Sequence, residues 1–348
     1  MLAAYRHKRH AEGGLLYRII IRILGGLLVV SSPVHAGGDL RDLPFLSGVN
    51  ASGAEFVTNW RYPDKENIDY YLSQGMRLIR LPIAWVRVQP ELGGELDKDH
   101  LRELDRILTQ VAEADAWLVI DLHDYMRRNG QVVGAPGAPA DAAHLADFWR
   151  RMALRYGNHP QVIFNLMNEP HDMPSALNLA NQNHAIAAIR ATGADNIVLV
   201  SGNHYSGAHS FLWSDNPAWM AQVEDKADNF AFDLHQYLDE GSRGISPFCI
   251  PGSGATALVA ATDWLRANDR QALLGEFNAG PGERCAAELR DLLAHVAAND
   301  DVWIGWAYWA GGGLWRGANP TDPFTLDPSL TGTIPQMEVL RPFIKSKE

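Results

Sequence analysis

Eight short apolar, β-branched runs recur along this chain, and stretches with helical spacing separate them. The runs begin with "FLSGVN" at 45, "MRLIRLPI" at 76, "AWLVIDLH" at 116 and "VIFNLMN" at 162, and continue with "NIVLVSGN" at 196, "NFAFDLHQ" at 229, "ALLGEF" at 272 and "VWIGWAYW" at 302. Runs of this length read as strands, and strands that alternate with helices build a parallel sheet. From Asp97, Leu101, Leu104, Leu108 and Val111 fall at the three-and-four spacing of one apolar helix face. "ERCAAELRDLLAHVAAND" from Glu283 and the closing "PQMEVLRPFIK" read the same way. Eight strands, each followed by a helix or long loop, predict a single-domain α/β fold, the (β/α)₈ TIM barrel. A doubly wound open sheet would want a Gly-rich phosphate turn after its first strand, and this chain has none there. No Ser/Thr/Pro-rich linker or low-complexity tract marks an appended module. The stretch "RRNGQVVGAPGAPA" from Arg127 reads as a mobile rim over the barrel mouth.

Residues 1–36 are excluded from the fold. Arg6, Lys8, Arg9, Arg18 and Arg22 form a basic front, Ile19 to Val30 is mostly apolar, and Val34-His35-Ala36 is a small-residue cleavage site, the pattern of a secretory signal peptide. The alternative, an uncleaved anchor, is disfavoured because the apolar run falls short of the roughly 20 residues that span a bilayer. Residues 37–348 are then the catalytic barrel, released to the periplasm or outside the cell with no membrane contact after cleavage. The whole chain carries a formal charge of −11; removing five basic residues and Glu12 takes the remainder to −15. So acidic a body excludes nucleic acid and anionic membrane as partners and suits a soluble monomer acting on a neutral substrate. Cys249 and Cys285 are an even pair in an oxidising compartment, open to a disulfide or to two buried thiols.

In such a barrel chemistry collects at the carboxyl ends of the strands. Strand two ends near Arg80, strand three in Asp121, His123 and Asp124, and strand four in Asn168-Glu169. Strand six ends in His235 and Tyr237, strand seven in Glu276 and strand eight in Trp309. Any one of these could be a structural partner, and Trp309 alone would more often be core. Two carboxylates ringed by Arg, His, Asn, Tyr and Trp are harder to explain by folding, because buried charge is costly. Paired carboxylates across a polar and aromatic cleft are the layout of glycoside hydrolysis, in which one acid donates to the leaving oxygen and the other stays ionised. An Arg lowers the pKa of the carboxylate beside it, which places Arg80 with the nucleophile.

"VIFNLMNEPH", "ALLGEF" and the final "WAYW" resemble glycoside hydrolase family 5, retaining β-glycanases on a (β/α)₈ barrel. The likeness spans the chain from 37 onward, and all eight positions of the family's catalytic set hold the expected residue type. The resemblance implies Glu169 as acid/base and Glu276 as nucleophile, with Asn168 on the sugar 2-hydroxyl. It implies that Arg80 and Tyr237 hold Glu276, that His235 sets the protonation of Glu169, that His123 contacts the same sugar, and that Trp309 forms its floor. The subfamily 5 secreted endo-β-1,4-glucanases are a nearer likeness, through "HQYLDEGSRG" and "WLRANDRQALLGEF". Cys249 and Cys285 occupy the two cysteine positions those enzymes bridge. Trp213, Trp219 and Trp315 are candidates for stacking on pyranose faces, with packing under loops the equal alternative.

The resemblance implies double displacement on β-1,4-glucan through a covalent glycosyl-enzyme, with transglycosylation open to the same intermediate and no metal or organic cofactor required. Mannan, lichenan or xyloglucan are the alternative substrates. A metal-dependent amidohydrolase would want a His-x-His pair on strand one, which "FLSGVNASG" lacks. A catalytically inactive carbohydrate-binding barrel would be expected to have lost one carboxylate, and both are present.

Overall fold

The computed structural model describes residues 38–56, 58–312, 323–327 and 334–345, which belong to one unit spanning 35–348. The expected signal peptide and Trp315 lie outside the described residues. Eight parallel strands close on themselves: β1 (Leu46–Ala51), β2 (Leu78–Ile83), β3 (Trp117–Leu122), β4 (Val162–Asn165), β5 (Val198–Ser201), β6 (Phe230–His235), β7 (Ala272–Glu276) and β8 (Trp303–Gly311). Six fall within a run expected from the sequence, while β1 extends one residue and β8 two residues past theirs. Strand β1 pairs with both β2 and β8, which completes the (β/α)₈ barrel.

A helix follows every strand among the described residues, from Lys65–Ser73 after β1 to Pro335–Leu340 after β8. Their starts are set locally. The Asp97 carboxylate accepts the backbone N–H of Asp99 and His100, which opens Lys98–Glu113 at the expected point. That helix buries Leu104, Ile107, Leu108 and Val111, while Leu101 is only partly covered. Asp141 caps Ala142–Tyr156 in the same way, with His144 completing a capping box. None of the helices is long and apolar enough to cross a membrane, among the described residues.

Alternation along the strands sorts the core into two clusters. Ile79, Ile120, Phe164 and Phe232, each one residue past an inward-pointing side chain, face the helices. Leu46, Leu78, Val119, Ile163, Ala231 and Leu273 point inward and fill the lower end of the barrel. Leu40 and Leu43 pack against this cluster from below. The strap they sit on is tied across the barrel floor by Asn229, which accepts from Leu40 N–H at 2.8 Å and donates to Gly38 O at 2.8 Å.

Two loops differ from their reading in sequence or add to it. The Gly- and Pro-rich stretch after Arg127 is folded into a small antiparallel hairpin, Arg127–Arg128 against Gln131–Val132. The buried Arg128 guanidinium pins it by donating to the carbonyls of Gln89 and Pro90, each at 2.8 Å. Cys249 and Cys285 form a disulfide, with Cα atoms 5.1 Å apart, joining the loop after β6 to the helix Glu283–Ala298 that follows β7.

Candidate active site

Two residues above the apolar plug, the same inward faces turn polar. Leu78 gives way to Arg80 on β2, Val119 to Asp121 on β3, Ile163 to Asn165 on β4 and Ala231 to Asp233 on β6. Arg80 is wholly buried and organises this layer. One terminal nitrogen, Nη1, donates to Glu276 Oε1 at 2.8 Å and to Asn50 Oδ1 at 2.7 Å. The other, Nη2, donates to Asn168 Oδ1 at 2.7 Å and Asp233 Oδ2 at 3.1 Å, with Asp121 Oδ2 3.2 Å away. A buried cation shared among three carboxylates is held charged, because those carboxylates outweigh its desolvation.

Glu276 ends β7 and is nearly buried. Besides Arg80 it accepts from Tyr237 Oη at 2.6 Å. Tyr237 is propped by the next turn, in which Asp239 accepts four backbone N–H groups, from Arg243, Gly244, Ile245 and Ser246. Gly244 lies against the Tyr237 ring with φ of 69°, where a β-carbon would meet the ring. Burial pushes the Glu276 carboxyl above its ordinary range; His235 and Arg80 pull against that and Glu169 adds to it. Arg80 therefore acts in the expected sense, but burial and the second carboxylate outweigh it.

Glu169 lies just beyond β4 in the left-handed region, φ 44°, a conformation that costs a residue with a β-carbon about 1–2 kcal/mol. Its Oε1 sits 2.7 Å from His235 Nδ1. One oxygen of Glu169, one of Glu276 and a His235 nitrogen lie within 4.8 Å of one another. These three could ligate a cation only with the imidazole neutral. Burial pulls His235 down, but Glu276 and Asp233 outweigh it and hold the ring well above its ordinary basicity.

His123, just past the end of β3, mirrors this arrangement. Its Nδ1 meets Asp121 Oδ2 at 2.7 Å, and its Nε2 lies 3.2 Å from Asn168 Nδ2. Burial lowers its basicity and Asp121 more than restores it. The Trp309 ring stacks on His123 with centroids 5.3 Å apart and planes 18° apart. Behind His123, burial pushes the Asp124 carboxyl up to about 6, against the pull of the Trp85 N–H it accepts.

The structure thus brings Arg80, His123, Asn168, Glu169, His235, Tyr237, Glu276 and Trp309 to one place. Above them opens a cleft of about 600 Å³, lined by Glu169, Glu276, Trp309, Tyr205 and Trp213 among others. A depression of about 710 Å³ lies between helices Lys98–Glu113 and Ala142–Tyr156, but no strand-end residue reaches it. Trp213 is 62% exposed and faces the cleft. Trp219 does not: it sits on the short helix Asn216–Met220, and its indole N–H is turned back to Asp215 at 3.0 Å. His171, whose loop position gives no hint of chemistry, stacks on Tyr205 at 4.2 Å and meets Tyr125 edge-on, forming an aromatic rim beside Glu169.

Three polar residues of the buried layer escape a reading of strand ends: Asn50, Asn165 and Asp233. Asn165 Nδ2 bridges Asp121 Oδ1 at 3.0 Å and Asp233 Oδ2 at 2.6 Å. A signal for Asp233 exists in the sequence, since Asp-Leu-His occurs at 121–123 and again at 233–235. On a strand that spacing puts acid and imidazole on one face.

Comparison with known proteins gives a consistent result. The profile of the family described as Cellulase (glycosyl hydrolase family 5) matches residues 44–312. Endo-beta-1,4-glucanase B of Emericella nidulans is 33% identical over 290 residues, which cover 79% of this chain and 86% of that protein. An endo-beta-1,4-glucanase of Xanthomonas axonopodis pv. citri superposes with a TM-score of 0.82 at 37% identity, over 86% of this chain and 98% of that one. XacCel5A in complex with cellopentaose superposes equally well, at 37% identity over 86% of this chain and 99% of that one.

Proposed function

The chain belongs to glycosyl hydrolase family 5, and from that premise we propose that it is a secreted, retaining endo-β-1,4-glucanase acting on cellulose-type chains. The observation that carries the reading is the pair Glu169 and Glu276, with an oxygen of each within 4.8 Å. Carboxyl groups of retaining glycosidases lie about 5–5.5 Å apart, whereas inverting enzymes leave room for a water at roughly 6.5–9.5 Å.

In this reading Glu276, oriented by Arg80 and Tyr237, attacks the anomeric carbon while Glu169 protonates the departing oxygen. The Glu276 ester is then opened by a water that Glu169 deprotonates. A sugar hydroxyl taking the place of that water gives transglycosylation. The Asn168 amide is held by Arg80 on its oxygen side and His123 on its nitrogen side. Its second N–H is left for the sugar 2-hydroxyl, a contact that strengthens as the oxocarbenium character grows. Trp309, braced by His123, serves as the floor of that sugar's site, and exposed Trp213 as a stacking platform further along the cleft. The first 36 residues direct export and are removed, and the acidic barrel works as a monomer outside the cytoplasm.

The test is Glu276→Gln with the fold verified by circular dichroism. Activity on carboxymethylcellulose should fall at least about 10⁴-fold. Proton NMR of products released by the wild-type enzyme should show the β-anomer first. Near-normal turnover by the variant, or initial release of the α-anomer, would sink the assignment; faster initial rates on mannan, lichenan or xyloglucan would move the substrate.

A further inference from the structure

Beneath the two histidines of the site lie two buried acids that the double displacement does not itself call on, Asp121 and Asp233. They are near twins. Each stands two residues before its histidine on the same inward strand face, each receives Asn165 Nδ2, and each lies within 3.2 Å of Arg80 Nη2. They differ in what their histidines touch. His123 leads to Asn168 and Trp309, on the sugar-binding side. His235 leads to Glu169: its Nε2 is 3.3 Å from Asp233 Oδ2 and its Nδ1 is 2.7 Å from Glu169 Oε1.

We propose that Asp233 is a positioning residue for the acid/base, holding the Nε2 proton of His235 so that Nδ1 faces Glu169 and the two share the proton used on the leaving oxygen. This rests on the reading of Glu169 given above. The pair carries one exchangeable proton. It lies on Nδ1 while Glu169 is ionised, and on Glu169 when the leaving oxygen must be protonated. After glycosyl transfer Glu169 is a carboxylate, takes a proton from the incoming water and can return it to Nδ1. Asp233 accepts from Nε2–H in both states, so no proton leaves the site through it.

Several features favour this assignment. Burial pushes the Asp233 carboxyl up, but Arg80, His235 and Asn165, all at Oδ2, outweigh it and hold the group below its ordinary range. Its other oxygen, Oδ1, has no hydrogen-bond partner among the described residues, and a β-carbon at Gly275 would fall on it. The residue before the nucleophile is therefore small where Asp233 needs the space. His235 is faced by Glu169 from the loop after β4, by Glu276 from β7, with its Oε2 3.6 Å from Nδ1, and by Asp233 on its own strand. The loop after β5 pairs at Gly207 with His235, but its own His209 turns to Gln236. Three carboxylates around one imidazole make the ring a proton store, and Asp233 is the one of the three that faces Nε2, whereas Glu169 and Glu276 face Nδ1.

The test compares two substrates and three variants of the full-length enzyme. Cellotetraose needs its leaving oxygen protonated; 2,4-dinitrophenyl cellobioside does not. Glu169→Ala is the benchmark, and should lose kcat/KM on cellotetraose far more than on the dinitrophenyl substrate. Asp233→Asn should show the same split, losing about 10²-fold on cellotetraose. The alkaline limb of its pH profile should also move down by about 1–3 units as the charge opposite His235 is removed. Asp121→Asn, equally buried and bonded to the same Arg80 and Asn165, should lower both rates by one factor and leave the limb in place. Equal losses on both substrates for Asp233→Asn, with an unmoved limb, would overturn the proposal; the lack of a split in Glu169→Ala would instead overturn the reading of Glu169. If Asp233→Asn does not fold, ¹⁵N histidine NMR of the wild-type enzyme decides. A proton on Nε2 of His235 across the titration supports the proposal, and a neutral ring protonated at Nδ1 refutes it.

Discussion

The two ends of the barrel interior are made by the same strands and have opposite chemistry. At the lower end Leu78, Val119, Ile163 and Leu273 close a dry plug. Two residues further along each strand, roughly 6.6 Å, stand Arg80, Asp121, Asn165 and Gly275, the last clearing space for Asp233. The plug is stabilised by area removed from water and would tolerate volume-conserving exchange. The polar layer has little such tolerance, because each charge there is offset by particular partners. A shift of one residue in register would exchange the barrel-facing set for the helix-facing one, so packing at the floor also aims the side chains at the mouth.

Strand β4 allows that contrast to be tested within a single turn of the pleat. Asn165→Leu should have the larger effect on catalysis, since it removes the amide that bridges Asp121 and Asp233 and leaves Arg80 to serve both. We expect a loss of about 3 kcal/mol in unfolding free energy, measured by urea titration, and a fall in kcat/KM as both histidines lose their supports. Unchanged kcat/KM would show that the acid–amide–acid bridge does not govern the site. Ile163→Ala, two residues below, should cost about 2–5 kcal/mol through the cavity it leaves, with kcat close to that of the wild-type enzyme at a temperature where the variant is folded. A collapse of kcat there would mean that floor and mouth are not separable.

The smallest effect expected is with pH. His235 has a folded pKa above its ordinary value of about 6.5. Its stabilisation is therefore complete below that value and is lost as pH rises through the folded pKa. Glu276, also raised, acts in the same direction, because the folded site holds its proton more tightly than the unfolded chain. Unfolding free energy should decline gradually above pH 6.5, and a titration that rises from pH 6.5 to 9 would contradict this. The floor cluster has no titrating residue and should contribute nothing to the slope.

Much of this was legible beforehand, and for a definite reason. Strand existence and inward parity follow from local alternation, so the eight staves and the residues at their tips could be read directly. The paired Glu169 and Glu276, 107 residues apart, were recognisable because both stand where an apolar run stops. Trp219 was less tractable. An indole's direction depends on the helix it sits on and on which acceptor it finds, and Asp215 claimed it. The segment after Arg127 looked mobile by composition, yet Arg128 stacks over Trp85 and ties it down through contacts some 40 residues away in sequence.

The amino-acid sequence alone determined the barrel, its polar mouth and the placing of Glu169 and Glu276 at strand ends, because these depend on period, sign and residue type along short stretches. Only the tertiary structure decided which carboxylates share Arg80, which histidine serves Glu169 and which serves Asn168, and that burial outweighs Arg80 at Glu276. These depend on distances between strands that are far apart in the chain. Electrostatic energies at a few ångströms from a buried charge change by kcal/mol with small displacements, and no one-dimensional pattern records them.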